Sequence, residues 1–274
     1  MKNKLFPIYI LALFIGIGAT LWLTFNTFFY LFNFSYIGIF LSLGVYLMQK
    51  NNKYARNIVQ IGVGFYMLVF LGCIMHENMQ IEGFWYFLFL GVFQAAVIHY
   101  MVAKIAGPFI FGRGWCGYAC WTAAVLDLLP YKTPKNNRIK KLGLLRYIIF
   151  VLSFCFIATL FLFKIKNIEW VMYISFIIGN IIYYIVGIVL AFVLKDNRAF
   201  CKYICPITAF LKPASYFSIM RIALDEKSCI NCGKCKSVCP MDVDMLDNKR
   251  SRKNGTECIL CYECVKACPK GALK

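Results

Sequence analysis

The sequence predicts an α-helical integral membrane protein of about six spans that ends in a small, cysteine-rich α+β domain. Three observations support this fold class. The chain of 274 residues is 61% hydrophobic, well above the roughly 45–50% of a soluble domain. Two similar stretches, one after the fourth apolar segment and one after the sixth, form a parallel internal repeat. The last part of the chain is less apolar and holds most of the 14 cysteines.

Six apolar stretches are long enough to cross a bilayer, which takes about 17–25 residues each. The first follows Lys2 and Lys4, but its apolar region is too long for a signal peptide and no cleavage site follows it. We therefore expect it to be a retained helix. The predicted spans are Leu5–Leu23, Thr27–Met48, Ile58–Met75, Phe84–Ala103, Tyr147–Phe163 and Trp170–Leu194.

The distribution of lysine and arginine predicts the orientation. The formal net charge is +18, and the basic residues cluster on alternate loops beside the apolar spans. The opposite loops hold Lys164 and Lys166 against Glu77, Glu82 and Glu169. By the positive-inside rule, both termini and all cysteine motifs face the cytoplasm from a plasma or inner membrane. Anionic lipid headgroups then account for the basic charge, which argues against a nucleic-acid partner.

Two cysteine runs lie near the C-terminus, C-I-N-C-G-K-C-K-S-V-C-P from Cys229 and C-I-L-C-Y-E-C-V-K-A-C-P from Cys258. Each fits C-x₂-C-x₂-C-x₃-C-P, the bacterial pattern for [4Fe–4S] clusters, in which the fourth cysteine ligates the other cluster. A zinc site leaves no role for the third cysteine and the proline, and disulfides need an oxidising compartment. We predict two clusters: one on a first quartet (Cys229, Cys232, Cys235, Cys268) and one on a second quartet (Cys258, Cys261, Cys264, Cys239).

These features divide the chain into three parts. Residues 1–205 form the predicted transmembrane domain, and residues 206–220 form an interfacial connector that Pro213 is expected to break. Residues 221–274 form the cluster-binding domain, which begins with a short strand over Arg221–Leu224. A domain of this size is too small for a large core, so we expect the clusters to supply much of its folding energy.

The internal repeat aligns R-G-W-C-G-Y-A-C-W-T-A-A-V-L from Arg113 with R-A-F-C-K-Y-I-C-P-I-T-A-F-L from Arg198. Parallel membrane repeats relate by a pseudo-two-fold axis along the membrane normal, so the two C-x₃-C pairs are expected to face each other. Cysteines four apart lie on one face of a helix. The four thiolates then predict a third iron–sulfur cluster or a soft metal ion. This repeat quartet consists of Cys116, Cys120, Cys201 and Cys205.

Packing, or a reversible dithiol, is the alternative interpretation of the repeat quartet. Arg113 and Arg198 are expected to lower the pKa of the nearby thiols and so favour the metal-bound state. Asp127, just beyond the first pair, is expected to pair with a nearby lysine.

The chain has only two histidines, which the topology puts at opposite ends of the bundle. His76 and His99 are therefore not expected to ligate one haem. Together with Gln94, His99 could contact a quinone headgroup, because polar groups inside a membrane are often functional. An interhelical hydrogen bond is the alternative.

In these motifs the chain resembles the NapH/MauN-type membrane ferredoxins, and similarly the assembly factor CcoG and the C-terminal half of NosR. The resemblance runs from Gly112 to Lys274. The second C-x₃-C-P motif is intact at Pro206, whereas Trp121 follows Cys120 where such proteins have proline. The resemblance implies electron transfer between a quinol or cytosolic donor and a redox partner protein, or electron supply for metalloenzyme maturation.

The leading hypothesis is therefore a membrane-bound iron–sulfur protein that passes single electrons at the cytoplasmic face, as a component of an oxidoreductase system. The alternative is an assembly factor that binds and reduces a metal such as copper at the repeat quartet. A third hypothesis is a structural anchor whose clusters do not change redox state. No acid–base pair or nucleophile–histidine arrangement occurs, which disfavours a hydrolytic enzyme.

Overall fold

The computed structural model describes residues 4–50, 52–93, 95–136, 138–139, 141–246 and 251–274. Lys2 and Gln94, which the sequence singled out, lie outside the described residues. The described part of the chain is mostly helical. In chain order its α-helices are α1 (Phe6–Phe25), α2 (Phe29–Gln49), α3 (Ala55–Phe65), α4 (Ile81–Leu90), α5 (Ala95–His99), α6 (Gly107–Phe111), α7 (Gly114–Tyr118), α8 (Trp121–Leu126), α9 (Leu145–Leu162), α10 (Ile168–Leu194), α11 (Ala199–Tyr203), α12 (Thr208–Tyr216), α13 (Lys234–Ser237), α14 (Ser251–Gly255) and α15 (Glu263–Ala267).

Two of these helices continue as π-helices and one begins with a 3₁₀ turn. The segment Tyr66–Ile74 extends α3, Tyr100–Ala106 joins α5 to α6, and Lys141–Leu144 precedes α9. Among the described residues, five helical segments are long and apolar enough to cross a membrane: Phe6–Phe25, Phe29–Gln49, Ala55–Ile74, Lys141–Leu162 and Ile168–Leu194. Five of the six predicted apolar stretches thus form long continuous helices.

Helices α1 and α2 form an antiparallel hairpin around a short connection. Gly18 of α1 lies against the backbone of Leu31, and Gly38 of α2 lies against Phe14. Near the open end of the hairpin, the Ser42 hydroxyl donates to the carbonyl of Pro7 at 2.9 Å. Small residues at these positions let the two helices approach closely, as in membrane helix pairs.

The prediction of one continuous fourth helix over Phe84–Ala103 is wrong. Gly91 ends α4 in a left-handed conformation (φ +69°), which glycine adopts without steric cost. The chain then reverses, and the rings of Phe84 and Tyr100 stack with centroids 5.0 Å apart. Before α4, Met79 and Gln80 lie buried in the bundle. The apolar run is therefore a short helical hairpin entered from a buried loop.

Helix α10 links the outer packing layer to the cysteine motifs. Phe176 in its first half is fully buried and fills the space beside Gly72 of the π-helix. Gly187 in its second half faces Leu126 of α8 and Phe200 of α11. The helix ends at Leu194, directly before α11. Helix α10 thus packs against the π-helix in its first half and against both halves of the repeat in its second half.

The connector and the start of the tail also differ from expectation. Pro213 lies inside α12 and does not interrupt it, so the predicted break is wrong. The expected strand at Arg221–Leu224 is reduced to an isolated antiparallel bridge between Leu224 and Leu273. Ala223 and Lys274 exchange two backbone hydrogen bonds of 2.8 and 3.0 Å around that bridge. These bonds join the beginning of the tail to the C-terminal end of the chain.

Candidate iron–sulfur and repeat-cysteine sites

Each of the two tail quartets surrounds a cavity of its own. All four cysteines of the first quartet line one cavity, together with Leu224 and Leu273 from the β-bridge. All four cysteines of the second quartet line another, together with Ile222 and Met241. In both cases the fourth cysteine comes from the other run, which is the crossed grouping that the spacing predicts. The residues present therefore fit two tetrathiolate cluster sites.

The two cysteine runs reach this arrangement through the same backbone conformation. In the first run, Asn231 and Gly233 have left-handed φ values of 50° and 72°. At the equivalent positions of the second run, Leu260 and Tyr262 have φ values of 53° and 60°. Left-handed backbone is costly for Leu and Tyr and persists where the surroundings require it, often at functional sites. The repeated pair of left-handed residues wraps each loop around its cavity.

Backbone amides point at several of the sulfur atoms. The amides of Val243 and Ala272 each donate to a sulfur at 3.3 Å, on Cys239 and Cys268 respectively. Such bonds stabilise thiolates, and they lower the pKa of Cys268, chiefly through the amide of Lys270. Burial has the opposite effect on Cys264, whose pKa it raises to about 12. A buried thiol of this kind is deprotonated when it binds metal.

The second quartet is buried more deeply than the first. Cys258, Cys264 and Cys239 are buried, whereas Cys232 of the first quartet is exposed. Beside it, the side chain of Ile230 is 57% exposed. The first cavity therefore lies near the outer surface of the tail, and the second lies towards the rest of the protein.

The two halves of the repeat fold alike. Cys116 lies in α7 and Cys201 lies in α11, and each helix ends before the second cysteine of its pair. The expectation that each pair lies on one continuous helix is therefore wrong. Cys205 precedes Pro206, and a proline disfavours the helical conformation of the residue before it. Cys120 has an extended backbone (ψ 120°) although Trp121 follows it. Cys120 is therefore non-helical without a following proline, and the Trp121 indole N–H donates to Asn180 at 2.8 Å.

Two fully buried arginines cross between the halves. Arg113 donates from Nη2 to the carbonyl of Cys201 at 3.3 Å, and Arg198 donates from Nη1 to the carbonyl of Cys116 at 3.1 Å. This reciprocal pair is what a pseudo-two-fold relation between the halves requires. It holds the four cysteines of the repeat quartet within electrostatic reach of one another.

The effect of the arginines on the thiols differs from the prediction. Burial raises the pKa of Cys201 to about 11, although Arg198 opposes the shift. Burial likewise raises the pKa of Cys205 to about 12, with the neighbouring cysteines adding to the shift and Arg113 opposing it. The expectation of lowered thiol pKa values is therefore wrong, because desolvation outweighs both guanidinium groups.

A third buried cation lies beside the repeat quartet. Lys104 is 4% exposed, and its ammonium group lies 5.1 Å from the centre of the Trp115 ring. It is within electrostatic reach of Cys116, Cys120 and Cys205, and it forms no ion pair in the described part of the chain. An unpaired buried cation is unfavourable. Negative charge on the repeat quartet, as in a thiolate-bound metal or cluster, would offset it.

Asp127 neutralises Arg198. The Arg198 guanidinium donates from Nε to Oδ1 at 2.7 Å and from Nη2 to Oδ2 at 2.5 Å. Arg56 and Gln60 also donate to Oδ2. Burial raises the pKa of Asp127, but the two arginines outweigh it and the net shift is downward. The expectation of a lysine partner is wrong, since both of its charged partners are arginines.

Glu257 neutralises Arg113 from the tail. This carboxylate, directly before Cys258, accepts hydrogen bonds from Arg113, Arg138 and Arg146. Lys212 adds an ion pair at 3.1 Å. Burial would raise the pKa of Glu257, but the four cations lower it to about 2. Sequence reasoning missed this residue, because nothing in a local pattern marks a glutamate that neutralises distant arginines.

The loop of the second quartet touches the first half of the repeat directly. A Cβ atom on Gly117 would lie 2.4 Å from the carbonyl oxygen of Ile259, so only glycine permits this approach. One residue on, the Tyr118 hydroxyl donates to the carbonyl of Leu260 at 2.8 Å. Cys116 and Cys258 are thus separated by closely packed backbone.

Within the described residues, no three His, Cys, Asp or Glu side chains form a set that could hold a single metal ion. The quartets instead surround cavities or lie within electrostatic reach of one another. The histidines lie apart, as expected. The His76 ring packs on Tyr173 near the beginning of α10, whereas the His99 ring lies 5.1 Å from Trp115, next to Cys116.

Taken together, two crossed tetracysteine cavities on a bundle of long apolar helices define an iron–sulfur electron-transfer protein. Residues 221–269 match the family model of a 4Fe-4S dicluster domain. Residues 93–140 and 178–222, the two segments that hold the repeat, match the model of a 4Fe-4S binding domain.

Similarity to individual proteins agrees with this class. An uncharacterised protein of Methanocaldococcus jannaschii is 28% identical over 71% of this chain and 77% of its own length. The putative electron transport protein YccM of Escherichia coli is 39% identical over 27% of this chain and 20% of its own length. The methylamine utilization ferredoxin-type protein MauN of Paracoccus denitrificans is 41% identical over 16% of each chain. No solved structure matches the chain. These matches support a similarity to the NapH/MauN-like family of 4Fe-4S ferredoxin-type proteins.

Proposed function

We propose that this protein passes single electrons at the cytoplasmic face of a membrane, between the repeat quartet and a soluble redox partner, through two clusters in the tail. One observation carries the proposal. The loop of the second quartet packs on the first C-x₃-C motif through Gly117 and Tyr118. Bound clusters supply one-electron exchange. The protein contributes the close approach, since Gly117 leaves no side chain between the two backbones.

The burial of the cysteines supports an order for the transfer. The second quartet adjoins the repeat, and the first quartet lies beyond it with Cys232 and Ile230 exposed. Electrons would therefore pass between the repeat quartet, the second cluster and the first cluster in that order. The exposed surface that carries Ile230 and Cys232 is where we expect the soluble partner protein to contact the tail.

The long apolar helices that carry these sites support membrane insertion. The five long apolar segments expose many large side chains, such as Leu13, Leu152 and Ile185. Such surfaces are stable against lipid rather than water. The lysines and arginines near the cysteine motifs favour a cytoplasmic location for them. A tag after Lys274 should accordingly resist protease in intact cells and be cleaved in inverted vesicles.

A quinol is a reasonable donor. An apolar cleft is lined by α1, α2 and α5, and its lining includes His99 and Trp115, next to Cys116. His99 Nε2 is buried without a hydrogen-bond partner in the described part of the chain. A polar quinone headgroup would satisfy that nitrogen.

Metal content tests the repeat quartet. The wild-type protein should be purified without oxygen and its iron compared with that of Cys116→Ser and Cys201→Ser. Two clusters hold about eight irons and a third raises this to about twelve, so both variants should fall from about twelve to about eight. Equal iron in all three proteins, with no copper, would show that the repeat quartet holds no metal.

The alternative is a metal-handling role, in which the thiols of the repeat quartet move closer together to bind a soft metal such as copper, which electrons from the tail then reduce. The three buried cations, Arg113, Arg198 and Lys104, suit any thiolate-bound soft metal. This function would be favoured if the wild-type protein contained about eight irons together with copper, and if Cys116→Ser and Cys201→Ser lost the copper. In either case dithionite should produce reduced-cluster EPR signals, and their absence would leave only a structural role.

A further inference from the structure

A broad cleft opens beside the second quartet, outside the transfer route described above. One wall is the region between α2 and α3, another is the segment after α8, and the third is the tail. Its cavity volume is about 500 Å³. Sites for small ligands are concave and typically about 300–1,000 Å³, so the cleft can hold a molecule of nucleotide size.

The cleft carries uncompensated positive charge. Its lining includes the cations Lys53, Arg56, Lys132 and Lys266 and the anions Asp127 and Glu263. Asp127 already binds Arg198 and Arg56, and Glu263 pairs with Lys266. In the described part of the chain, Lys53 and Lys132 form no ion pair. Two exposed lysines from different walls are therefore available to an anionic ligand.

The floor of the cleft adjoins the second cluster cavity. Pro240 and Cys261 line both spaces, so a single layer of residues separates them. Tyr118 and Val238 add apolar surface beside these two residues. A ligand with its phosphate at the lysines and a flat ring on this floor would lie next to the second quartet.

We propose that this cleft binds a phosphate-bearing redox cofactor of the flavin mononucleotide class, with its phosphate held by Lys53 and Lys132. Phosphate suits the paired lysines, since it accepts charge-assisted hydrogen bonds. The flavin ring suits the position, since flavins exchange single electrons whereas nicotinamides transfer hydride. Electron exchange with the second cluster rests on the proposed function, while binding itself does not.

Because three walls enclose the cleft, its shape favours binding of a small ligand over binding of a partner protein. An acidic segment of a partner protein would complement the same charge, but protein interfaces are usually broader and flatter than an enclosed cleft. A phospholipid headgroup offers the same phosphate chemistry. The experiment therefore includes both competitors.

Binding of flavin mononucleotide is measured by quenching of its fluorescence, with the full-length protein in phosphatidylcholine nanodiscs. Riboflavin has the same ring without the phosphate and should bind at least about tenfold more weakly. The double variant Lys53→Gln/Lys132→Gln should lose at least about tenfold in affinity for flavin mononucleotide and little for riboflavin. The matched control, Lys227→Gln/Lys253→Gln, removes two exposed tail lysines outside the cleft and should bind like wild type.

Three binding results would overturn the proposal, and so would the absence of any flavin binding. One is equal affinity of the wild-type protein for riboflavin and flavin mononucleotide. Another is an equal loss of affinity for flavin mononucleotide in the cleft variant and the control variant. The third is full displacement by phosphatidylglycerol or by an oligoglutamate peptide, which would assign the cleft to lipid or to an acidic protein. Iron content and bleaching by dithionite are recorded on the same preparations. If the clusters are intact but no flavin binds, only the proposal of a flavin site in the cleft is refuted. If the clusters are missing, the proposed electron-transfer function is refuted.

Discussion

Each half of the repeat has a buried arginine at the equivalent position, but a different carboxylate neutralises each of the two arginines. Arg198 in the second half is neutralised by Asp127, which lies within the repeat itself. Arg113 in the first half is neutralised by Glu257, which lies in the tail. Asp127 directly follows Leu126, and the residue at the equivalent place after Leu211 is Lys212. The repeat is therefore symmetric in its cations and asymmetric in its anions.

This difference explains how a symmetric repeat acquires one docked tail. Lys212 cannot neutralise Arg113, and it instead joins Arg113 in binding Glu257. Because Glu257 precedes Cys258, the carboxylate that satisfies Arg113 also fixes the loop of the second quartet. The other half needs no outside carboxylate, since Asp127 is present. The absence of an acidic residue from one half of the repeat thus leaves a specific place for a carboxylate of another domain.

The largest effect is expected for Asp127→Asn, which breaks the carboxylate pair internal to the repeat. Arg198 is fully buried and Arg56 is partly buried, and both would lose their anion. Removing one partner of a buried pair costs about 3–5 kcal/mol. The variant should unfold at a markedly lower temperature than wild type in the same detergent.

The control for that variant is Lys266→Gln, which breaks an exposed pair with Glu263. Exposed pairs contribute about 0–1 kcal/mol, so its unfolding temperature should barely change. A similar shift in both variants would contradict the importance of the buried pair.

The next effect is expected for Glu257→Gln, which breaks the carboxylate pair between repeat and tail. The pKa of Glu257 falls from 4.5 to about 2 on folding, which corresponds to about 3 kcal/mol of stabilisation at neutral pH. We expect the lost stabilisation to weaken mainly the docking of the tail on the repeat. We expect faster proteolytic release of the tail and slower electron transfer to the second cluster, with iron content unchanged.

The pH dependence of Glu257 has a definite sign. Because its folded pKa is lower than its unfolded value, the stabilisation is complete above about pH 4.5 and is lost as pH falls towards 2. Tail docking in wild type should weaken over that range, and Glu257→Gln should remove this dependence. The same pH profile in both proteins would assign the docking energy to other groups.

Much of this comparison was accessible to sequence reasoning and part was not. Cysteine spacing predicted the crossed quartets, and the aligned repeat predicted that the two C-x₃-C pairs face each other, because both are local or symmetric patterns. The reciprocal hydrogen bonds of Arg113 and Arg198 were not predicted. The partners of those arginines depend on tertiary contacts across the chain. Nothing in the sequence near Glu257 marks it as the anion for Arg113, and the sequence suggested a lysine for Asp127.

The failures at the helix level have a related origin. Hydropathy identified the apolar run that contains α4, but it did not separate one long helix from a hairpin. A single left-handed glycine, Gly91, decides between them. The prediction of lowered thiol pKa values was wrong because proximity to arginine can be inferred from the sequence, whereas the extent of burial cannot.

The smallest effect is expected for Tyr118→Phe, which removes one hydrogen bond between the first half of the repeat and the tail. The hydroxyl donates to the carbonyl of Leu260 at 2.8 Å, and a bond of this kind contributes about 0.5–1.5 kcal/mol. Release of the tail by protease should rise severalfold but less than in Glu257→Gln. Tyr9→Phe, at an exposed position on α1, should release the tail at the wild-type rate. If Tyr118→Phe matched Glu257→Gln, the docking would depend on the loop contact rather than on the carboxylate that the second half of the repeat lacks.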